Sequence, residues 1–463
     1  MKNDTIAAIA TAMTNSGIGI IRISGEESFS VIDHIYRSKN GNKRLSKMSS
    51  HTVHYGYIYD GDKIIDEVLV LIMRAPNSYT AEDTVEIDCH GGTLVMRRIL
   101  ETVIKYGARA AEPGEFTKRA FLNGRIDLSQ AESVIDLINA KNDFAMESSI
   151  RQLQGSVKER IGKIRSQILH ETAFIETALD DPEHISLDGY NKKLNFIITN
   201  IIKELEDMVK SSENGVLLQE GINTVIVGKP NAGKSSLMNI LVGKERSIVT
   251  DIEGTTRDVL EEKINLNGIT LNIVDTAGIH KTENIVEKIG VDKALQYLSN
   301  ADLILYVVDS SRNLDQNDEA ILDELKTHKA IILLNKCDLD QKTKEEDIKK
   351  LIKNKKLYCN IISISIKEQT GIEKLQKKIQ ELFFKGEINF NDEVFITNIR
   401  QKELLNSALD SLYMAQTSIQ NQMPEDFYSI DMIGAYEELG SIIGETVGED
   451  LVNEIFSKFC LGK

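Results

Sequence analysis

The sequence predicts a multidomain α/β protein in which a P-loop nucleotide-binding domain interrupts an α-helical domain that follows an N-terminal α/β domain. Three observations lead to this prediction. Residues 228–235 read GKPNAGKS and stand between an apolar β-branched run and an apolar helical run. Residues 119–215 and the segment from 393 onward space their apolar residues at the helical period. Residues 1–118 combine β-rich runs with helical segments.

These patterns set the predicted domain boundaries. We expect an N-terminal domain, the first part of the helical domain, the nucleotide-binding domain and the second part of the helical domain at 1–118, 119–215, 216–380 and 381–463. The formal net charge is −16, so any RNA contact is expected to be a local patch or to be shared with a partner. The chain shows no signal-peptide pattern, no apolar run of about 18 residues and no paired cysteine spacing. This predicts a cytoplasmic protein that does not enter a membrane.

The GKPNAGKS segment matches G-x-x-x-x-G-K-S, a complete phosphate-binding loop. It joins the strand-like run 224–227 to a helical run that begins at Ser235. The glycines let backbone N–H groups approach the β-phosphate, and the helix N-terminus adds a partial positive charge. Lys234 is therefore predicted to contact the β- and γ-phosphate oxygens, and the Ser235 hydroxyl to hold Mg²⁺.

Two further motifs follow apolar strand-like runs. Asp275-Thr276-Ala277-Gly278 is a D-x-x-G motif, in which Asp275 is placed to hold Mg²⁺ through water and the Gly278 N–H to bind the γ-phosphate. Asn335-Lys336-Cys337-Asp338 carries a carboxylate that can accept hydrogen bonds from N1–H and the exocyclic amine of guanine. Adenine has no donor there, so the Asp338 carboxylate predicts GTP rather than ATP.

A base-contacting loop and a switch segment complete the predicted nucleotide site. Ser365-Ile366-Lys367 is the candidate loop behind the base, with Ile366 where alanine is usual. Within the switch segment 250–258, Thr256 suits Mg²⁺ and the γ-phosphate. Asn231 is a candidate ligand for a monovalent cation. The predicted GTP contacts are Asn231, Ala232, Gly233, Lys234, Ser235, Ser236, Thr250, Asp251, Ile252, Glu253, Gly254, Thr255, Thr256, Asp275, Thr276, Ala277, Gly278, Asn335, Lys336, Asp338, Ser365, Ile366 and Lys367.

The position after the D-x-x-G glycine often carries a glutamine that orients the attacking water. Here it is Ile279, which cannot form that hydrogen bond. The residues alone leave His280, Glu283 and Glu287 as candidates for this role. Arg257 is either an arginine finger in cis or, as base rates for exposed ion pairs favour, a surface partner of its neighbour Asp258.

The N-terminal third holds a second polar cluster. The run 78–92 ends a strand in a His-Gly-Gly turn, and alternation places Glu86 on the same strand face as other polar side chains. The run 111–125 is a turn that leads into a helix, and Arg22 lies in an apolar strand. The residues alone allow two interpretations, salt bridges that hold a small domain or a second site. They favour the salt bridges. The chain ends Cys-Leu-Gly-Lys at 460–463, which is either a frayed tail or a functional end.

The whole chain resembles the MnmE (TrmE) family of bacterial tRNA-modification GTPases. The resemblance rests on the four nucleotide motifs and on the segments 4–11, 79–92, 111–125, 286–290 and 459–463. It implies a folate-binding N-terminal domain, similar to the glycine-cleavage T protein, that forms a homodimer. It also implies a Ras-like GTPase domain inserted into the helical domain.

The resemblance further implies a reaction and its participants. Members act with the FAD protein MnmG (GidA), which carries the flavin. Together they add an aminomethyl or carboxymethylaminomethyl group to C5 of the wobble uridine of certain tRNAs. The one-carbon unit comes from a tetrahydrofolate in its 5-formyl or 5,10-methylene form, and GTP is hydrolysed.

The resemblance also implies individual site residues, at the positions of this sequence that match the family's motifs. The implied folate contacts are Arg22, Glu86, Arg125 and Lys463. The implied K⁺ ligands are Asn231, Thr250, Ile252 and Thr255, and the implied Mg²⁺ ligands are Ser235 and Thr256. The resemblance assigns the water-orienting role to Glu287, and Cys460 matches the family's terminal cysteine and is a candidate site residue. The segment 12–16 departs from the family's usual Pro-Pro-Gly-Arg-Gly-like loop.

Two other classes of function account for part of the chain. A ribosome-assembly or RNA-chaperone GTPase without one-carbon chemistry explains residues 216–380 equally well. It leaves the N-terminal cluster and the Cys-Leu-Gly-Lys end unexplained. A folate-dependent methyltransferase that needs no partner is the third alternative.

Overall fold

The computed structural model divides the chain into two compact units. It describes residues 4–39, 41, 43–244, 261–266, 268–274, 301–355, 357, 359–384, 396–445, 447–459 and 462. The first unit, here called the terminal unit, comprises Met1–Ile135, Arg151–Ile202 and Leu404–Lys463. The second, here called the G unit, comprises Asp136–Ile150 and Lys203–Glu403.

In the described parts of the chain, strands and helices alternate in the first third and the middle, and the remaining elements are helices. The strands are β1 (Ile6–Ile9), β2 (Ile18–Ser24), β3 (Tyr36–Arg37), β4 (Thr52–Asp60), β5 (Lys63–Met73), β6 (Thr84–His90), β7 (Arg109–Ala110), β8 (Ile222–Val227), β9 (Glu261–Leu266), β10 (Ile269–Val274), β11 (Leu303–Asp309), β12 (Ala330–Asn335) and β13 (Asn360–Ser363). The α-helices are Ser28–Ile35, Thr93–Lys105, Glu115–Leu122, Leu128–Asn139, Asp143–Leu153, Ser156–Asp180, Tyr190–Glu220, Lys234–Lys244, Gln316–Glu324, Glu345–Lys355, Ile372–Phe384, Ile399–Gln420, Glu425–Ile443 and Glu449–Ser457.

The terminal unit contains a seven-stranded sheet in the order β3-β4-β5-β6-β2-β1-β7. Its neighbouring strands are antiparallel except for β1 and β7. Ile21 and Ile23 of β2 are buried in a core that the helices Ser28–Ile35 and Thr93–Lys105 share. Successive side chains in a strand point to opposite faces, so Arg22 lies on the other face of the sheet. β2 therefore carries core residues on one face and a charged residue on the other.

The helices of this unit follow the apolar spacing of the sequence. In Ser156–Asp180, Val157, Ile161, Ile164 and Ile168 are buried at intervals of three and four residues. This spacing makes one apolar stripe, and burying it against other helices stabilises the helix. The long helices predicted from 119 onward are confirmed.

The G unit is built on a six-stranded sheet in the order β13-β12-β11-β8-β10-β9. All neighbouring pairs are parallel except β9 and β10. Every residue of β12 is buried, as expected for a central parallel strand covered on both faces. β8 lies between β10 and β11, so the strand order reverses there, and ligands bind outside the carboxyl ends of strands at such a point. The P-loop follows β8 directly.

The length and apolar character of the helices can be compared with those of a membrane-spanning helix. None of the helices described in the structure combines the length and apolar character that a membrane crossing requires.

Candidate functional site

The phosphate-binding loop runs from the end of β8 to the helix Lys234–Lys244. Gly228 has φ +149°, and a Cβ there would overlap the carbonyl oxygen of Val307. Gly233 has φ +109°, and a Cβ there would overlap the side-chain amide of Asn335. Both positions combine a left-handed backbone with close packing, so only glycine fits. The loop conformation is therefore set by its contacts with β11 and β12.

Lys234 lies over this loop. Its Nζ donates hydrogen bonds to the carbonyl oxygens of Gly228 at 2.7 Å and Lys229 at 2.9 Å. These two bonds hold the ammonium group above the loop, where the phosphates of a nucleotide bind in P-loop proteins.

A second lysine fixes the outer side of the loop. The Lys229 ammonium lies 2.7 Å from an Asp315 carboxylate oxygen and also pairs with Asp318. Asp318 is buried and accepts a hydrogen bond from the hydroxyl of Tyr306 at 2.6 Å. The bond from Lys229 holds the pKa of Asp315 below its usual value. Lys229 occupies a variable position of the motif, so the sequence pattern does not predict this anchor.

The base-recognition motif is tied to the P-loop through Asn335. This buried side chain donates from Nδ2 to the Ala232 carbonyl oxygen at 2.7 Å. Its Oδ1 accepts a bond from the backbone N–H of Ile366 at 3.2 Å. One amide thus links the phosphate loop, the end of β12 and the loop behind the base.

Asp338 is held by that same base loop. Its Oδ1 accepts a hydrogen bond from Ser365 Oγ at 2.6 Å, which lowers the pKa of Asp338 below its usual value. The carboxylate is therefore ionised at neutral pH, the state that accepts hydrogen bonds from guanine. Ile366, which stands where alanine is usual, is buried in the apolar core of the G unit and packs against Gly233.

Lys336 takes a left-handed backbone conformation with φ +64° and pairs with Asp309 at the end of β11. Its Nζ lies 2.6 Å from Asp309 Oδ2. Burial opposes the charge on Asp309, but the hydrogen bond from Lys336 keeps its pKa below the usual value. Asp309 does not line the nucleotide cavity but holds Lys336, which does. The sequence did not predict this role, although Asp309 ends the apolar run of β11.

The phosphate-binding loop, the end of β12 and the loops that follow β12 and β13 line a cavity of about 870 Å³, within the range of small-molecule sites. The predicted GTP contacts that line it are Asn231, Gly233, Lys234, Ser235, Ser236, Asn335, Lys336, Asp338, Ile366 and Lys367. Lining residues that were not predicted are Pro230, Asn239, Ile240 and Leu339. Predicted nucleotide-site residues outside the described part of the chain are 250–256, 275–278 and Glu287, with the alternatives Arg257, His280 and Glu283.

The second cluster lies on the sheet of the terminal unit. Arg22 and Glu86 are cross-strand partners in β2 and β6. Arg22 Nε lies 2.7 Å from Glu86 Oε1, and each side chain is 16% exposed. The neighbouring carboxyl of Asp88 has a raised pKa because of burial and the negative charge of Glu86. A largely buried ion pair with a second carboxyl beside it forms a polar cluster on the face of β2 and β6 opposite the core.

Tyr79 joins two of the predicted folate contacts. The Arg22 guanidinium lies 5.4 Å from the centre of the Tyr79 ring, and that of Arg125 lies 4.9 Å from it. Both distances are within the range of cation–π attraction. The Tyr79 hydroxyl is fixed by Thr117 Oγ1 at 2.9 Å. Arg22, which pairs with Glu86, and Arg125 thus both lie against one aromatic ring.

The end of the chain reaches the same place. Arg22 Nη1 donates a hydrogen bond to the carbonyl oxygen of Gly462 at 3.3 Å. Gly462 has φ +90°, and a Cβ there would overlap the carbonyl oxygen of Ile9 at the end of β1. The frayed-tail alternative is therefore wrong for Gly462. Cys460 and Lys463 lie outside the described residues.

Salt bridges also hold this unit, as the alternative interpretation expected. Arg119 pairs with Asp4 at 3.0 Å, Glu82 at 3.1 Å and Glu115 at 3.1 Å. Asp4 and Glu115 in turn share Arg109. Among the residues that the structure describes, no ion pair joins this network to Arg22, so the unit contains both a structural ion network and a candidate site.

The atypical segment 12–16 packs on the His-Gly-Gly turn. Ser16 N–H donates to the carbonyl oxygen of Gly91 at 3.0 Å, and Ser16 Oγ donates to that of Ile18 at 2.7 Å. A Cβ at Gly91 would overlap Ser16, so the turn requires glycine there.

Comparison with known proteins covers the whole chain. Residues 128–460 match the MnmE helical domain family, and residues 5–125 match the family described as GTP-binding protein TrmE N-terminus. Three proteins named tRNA modification GTPase MnmE align along their full or nearly full length. That of Lachnoclostridium phytofermentans is 58% identical over 100% of both chains. That of Acetivibrio thermocellus is 50% identical over 100% of both chains. That of Clostridioides difficile is 48% identical over 100% of this chain and 99% of its own.

Proposed function

This chain belongs to the MnmE (TrmE) family of tRNA modification GTPases, and from that premise we propose its reaction. With the FAD protein MnmG, it adds an aminomethyl or carboxymethylaminomethyl group to C5 of the wobble uridine of certain tRNAs. The one-carbon unit comes from a tetrahydrofolate, and GTP is hydrolysed. The protein acts as a cytoplasmic homodimer.

One observation carries this proposal. The chain combines a nucleotide cavity in the G unit with the Arg22–Glu86 pair and the Tyr79 ring in the terminal unit. Hydrolysis of GTP needs only the first of these. The second suits a folate, which carries a pterin with hydrogen-bonding edges and an anionic glutamate tail. A carboxylate such as Glu86 binds guanidine-like N–H edges well, and arginines bind carboxylates.

In the nucleotide cavity, each described residue has a separate task. Lys234 neutralises phosphate charge, Asp338 reads the guanine edge, and Asn335 keeps these two parts in register. Ser235 lines the cavity beside Lys234 and offers a hydroxyl oxygen, the kind of ligand that Mg²⁺ accepts. When bound, Mg²⁺ neutralises charge that develops on the β- and γ-phosphates.

Asn231 gives the GTPase a proposed cation requirement. It lines the cavity, is exposed and has φ +63°. With switch residues as further ligands, its side chain would hold K⁺. The ion would supply the positive charge that an arginine finger supplies in other GTPases. We expect kcat for GTP to rise by on the order of tenfold or more when K⁺ replaces Na⁺ at matched ionic strength. Asn231→Ala should lose that difference. Equal wild-type rates in both salts would contradict the requirement and return the role to Arg257.

The proposed binding of folate is tested by calorimetric titration of the full-length protein with 5-formyl-tetrahydrofolate. Arg22→Gln and Glu86→Gln are each expected to weaken binding by about 10- to 100-fold, the loss typical of one charge-assisted hydrogen bond. Arg97→Gln is a matched control, because Arg97 is exposed and pairs only with its helical neighbour Glu101 among the described residues. A wild-type protein that hydrolyses GTP but binds neither folate nor MnmG would favour the ribosome-assembly alternative.

A further inference from the structure

A cavity of about 840 Å³ lies along the helix Ser156–Asp180 in the terminal unit. Two ion pairs occupy part of its wall. Lys163 pairs with Glu159 at 2.7 Å, and Arg165 pairs with Glu445 at 2.6 Å. These four residues neutralise one another, so their summed charge on the wall is zero.

Two further positively charged side chains line the cavity. Arg125 and Lys158 are exposed, and neither has an ion-pair partner among the residues that the structure describes. The helix that carries Lys158 begins after Gly155, which provides no side-chain cap, and a helix N-terminus attracts negative charge. The cavity therefore presents a net positive surface to its ligand, which suits carboxylates.

Arg125 connects this cavity to the candidate folate site. Its guanidinium lies 4.9 Å from the centre of the Tyr79 ring, which the Arg22 guanidinium also contacts. All of these residues belong to the terminal unit. A folate whose pterin lies at the Arg22–Glu86 pair and whose tail passes Tyr79 would meet Arg125, which also lines the cavity. Each further γ-linked glutamate on that tail adds one carboxylate.

We propose that this cavity binds the γ-linked oligoglutamate tail of the tetrahydrofolate, with Lys158 and Arg125 as its carboxylate partners. The inference rests on the proposed folate site and adds a substrate preference to it: the protein selects oligoglutamylated folates over the monoglutamate. Lys158 acts on the tail alone, whereas Arg125 also contacts the candidate site through Tyr79.

The test compares 5-formyl-tetrahydrofolate monoglutamate and triglutamate by calorimetry on the full-length protein. The triglutamate should bind about tenfold more tightly at low salt, as two additional partly exposed ion pairs allow. The advantage should shrink at high salt, because exposed charges are screened. Lys158→Ala should reduce it to about twofold or less with monoglutamate affinity unchanged, and Lys158→Arg should restore it.

Lys192→Ala serves as the matched control, because Lys192 is an exposed lysine of the same unit that does not line the cavity. It should retain the full preference. Equal wild-type affinity for the two ligands, or an undiminished preference in Lys158→Ala, would overturn the inference while leaving the folate site intact. Loss of tRNA affinity in Lys158→Ala with the preference retained would assign the cavity to an RNA backbone instead. Failure of the monoglutamate itself to bind wild-type protein would overturn the folate site and this inference together.

Discussion

Replacing Asp338 with Asn is expected to weaken GTP binding by on the order of 10³-fold or more and to create a preference for xanthosine triphosphate. The Asn Oδ1 can still accept the hydrogen bond that Ser365 Oγ donates, so the loop should stay in place. The other carboxylate oxygen becomes an amide that donates. Guanine presents donors there, whereas xanthine presents a carbonyl oxygen at C2.

A competition assay with the two nucleotides measures this exchange directly. Asp340→Asn is the matched control, since Asp340 is an exposed carboxylate two residues away that does not line the cavity. It should keep the preference for GTP. An Asp338→Asn protein with unchanged preference would remove this motif from base recognition.

Deleting residues 460–463 is expected to weaken tetrahydrofolate binding and to abolish tRNA modification, while GTP hydrolysis continues. The described tail residue Gly462 lies against the end of β1 and accepts a hydrogen bond from Arg22. Its loss should leave Arg22 without that partner and remove Lys463, the implied folate contact. The measurements are folate affinity, modification of tRNA with MnmG present, and GTP turnover on the same preparation.

Point variants separate the tail contact from a general loss of stability. Gly462→Ala adds a Cβ that would overlap the Ile9 carbonyl oxygen, so it should weaken folate binding in the same direction as the deletion. Lys458→Ala, at an exposed lysine paired with Glu454, should behave as wild type. A truncated protein that binds folate as tightly as the full chain would show that the tail takes no part in the site.

Local motifs explain why the nucleotide site was predictable. The P-loop, Asn335 and Asp338 each follow an apolar strand run, and the carboxyl ends of parallel strands meet at one edge of a sheet. The anchor of Lys229 to Asp315 and Asp318 was not predictable in this way. It joins residues about 90 positions apart, and no spacing rule in one sequence pairs them.

The terminal unit also combines features that the sequence predicts with features that it does not. Alternation in the sequence indicated the face on which Glu86 lies, but not its partner. The partner depends on the register of β2 against β6, which places Arg22 opposite Glu86. The contact of Tyr79 with both arginines depends on how a loop folds over the sheet. Residues alone therefore favoured plain salt bridges there, and only the family resemblance indicated a site.

The central claim is that one chain joins GTP hydrolysis to transfer of a one-carbon unit onto tRNA. The most direct test combines the purified protein with MnmG, tRNA, GTP and a methylene-tetrahydrofolate that carries an isotope label on its one-carbon unit. Mass spectrometry of the digested tRNA then locates the label. We expect it in the C5 substituent of the wobble uridine, and only when GTP is hydrolysed. Hydrolysis of GTP with no label in the tRNA would contradict the claim.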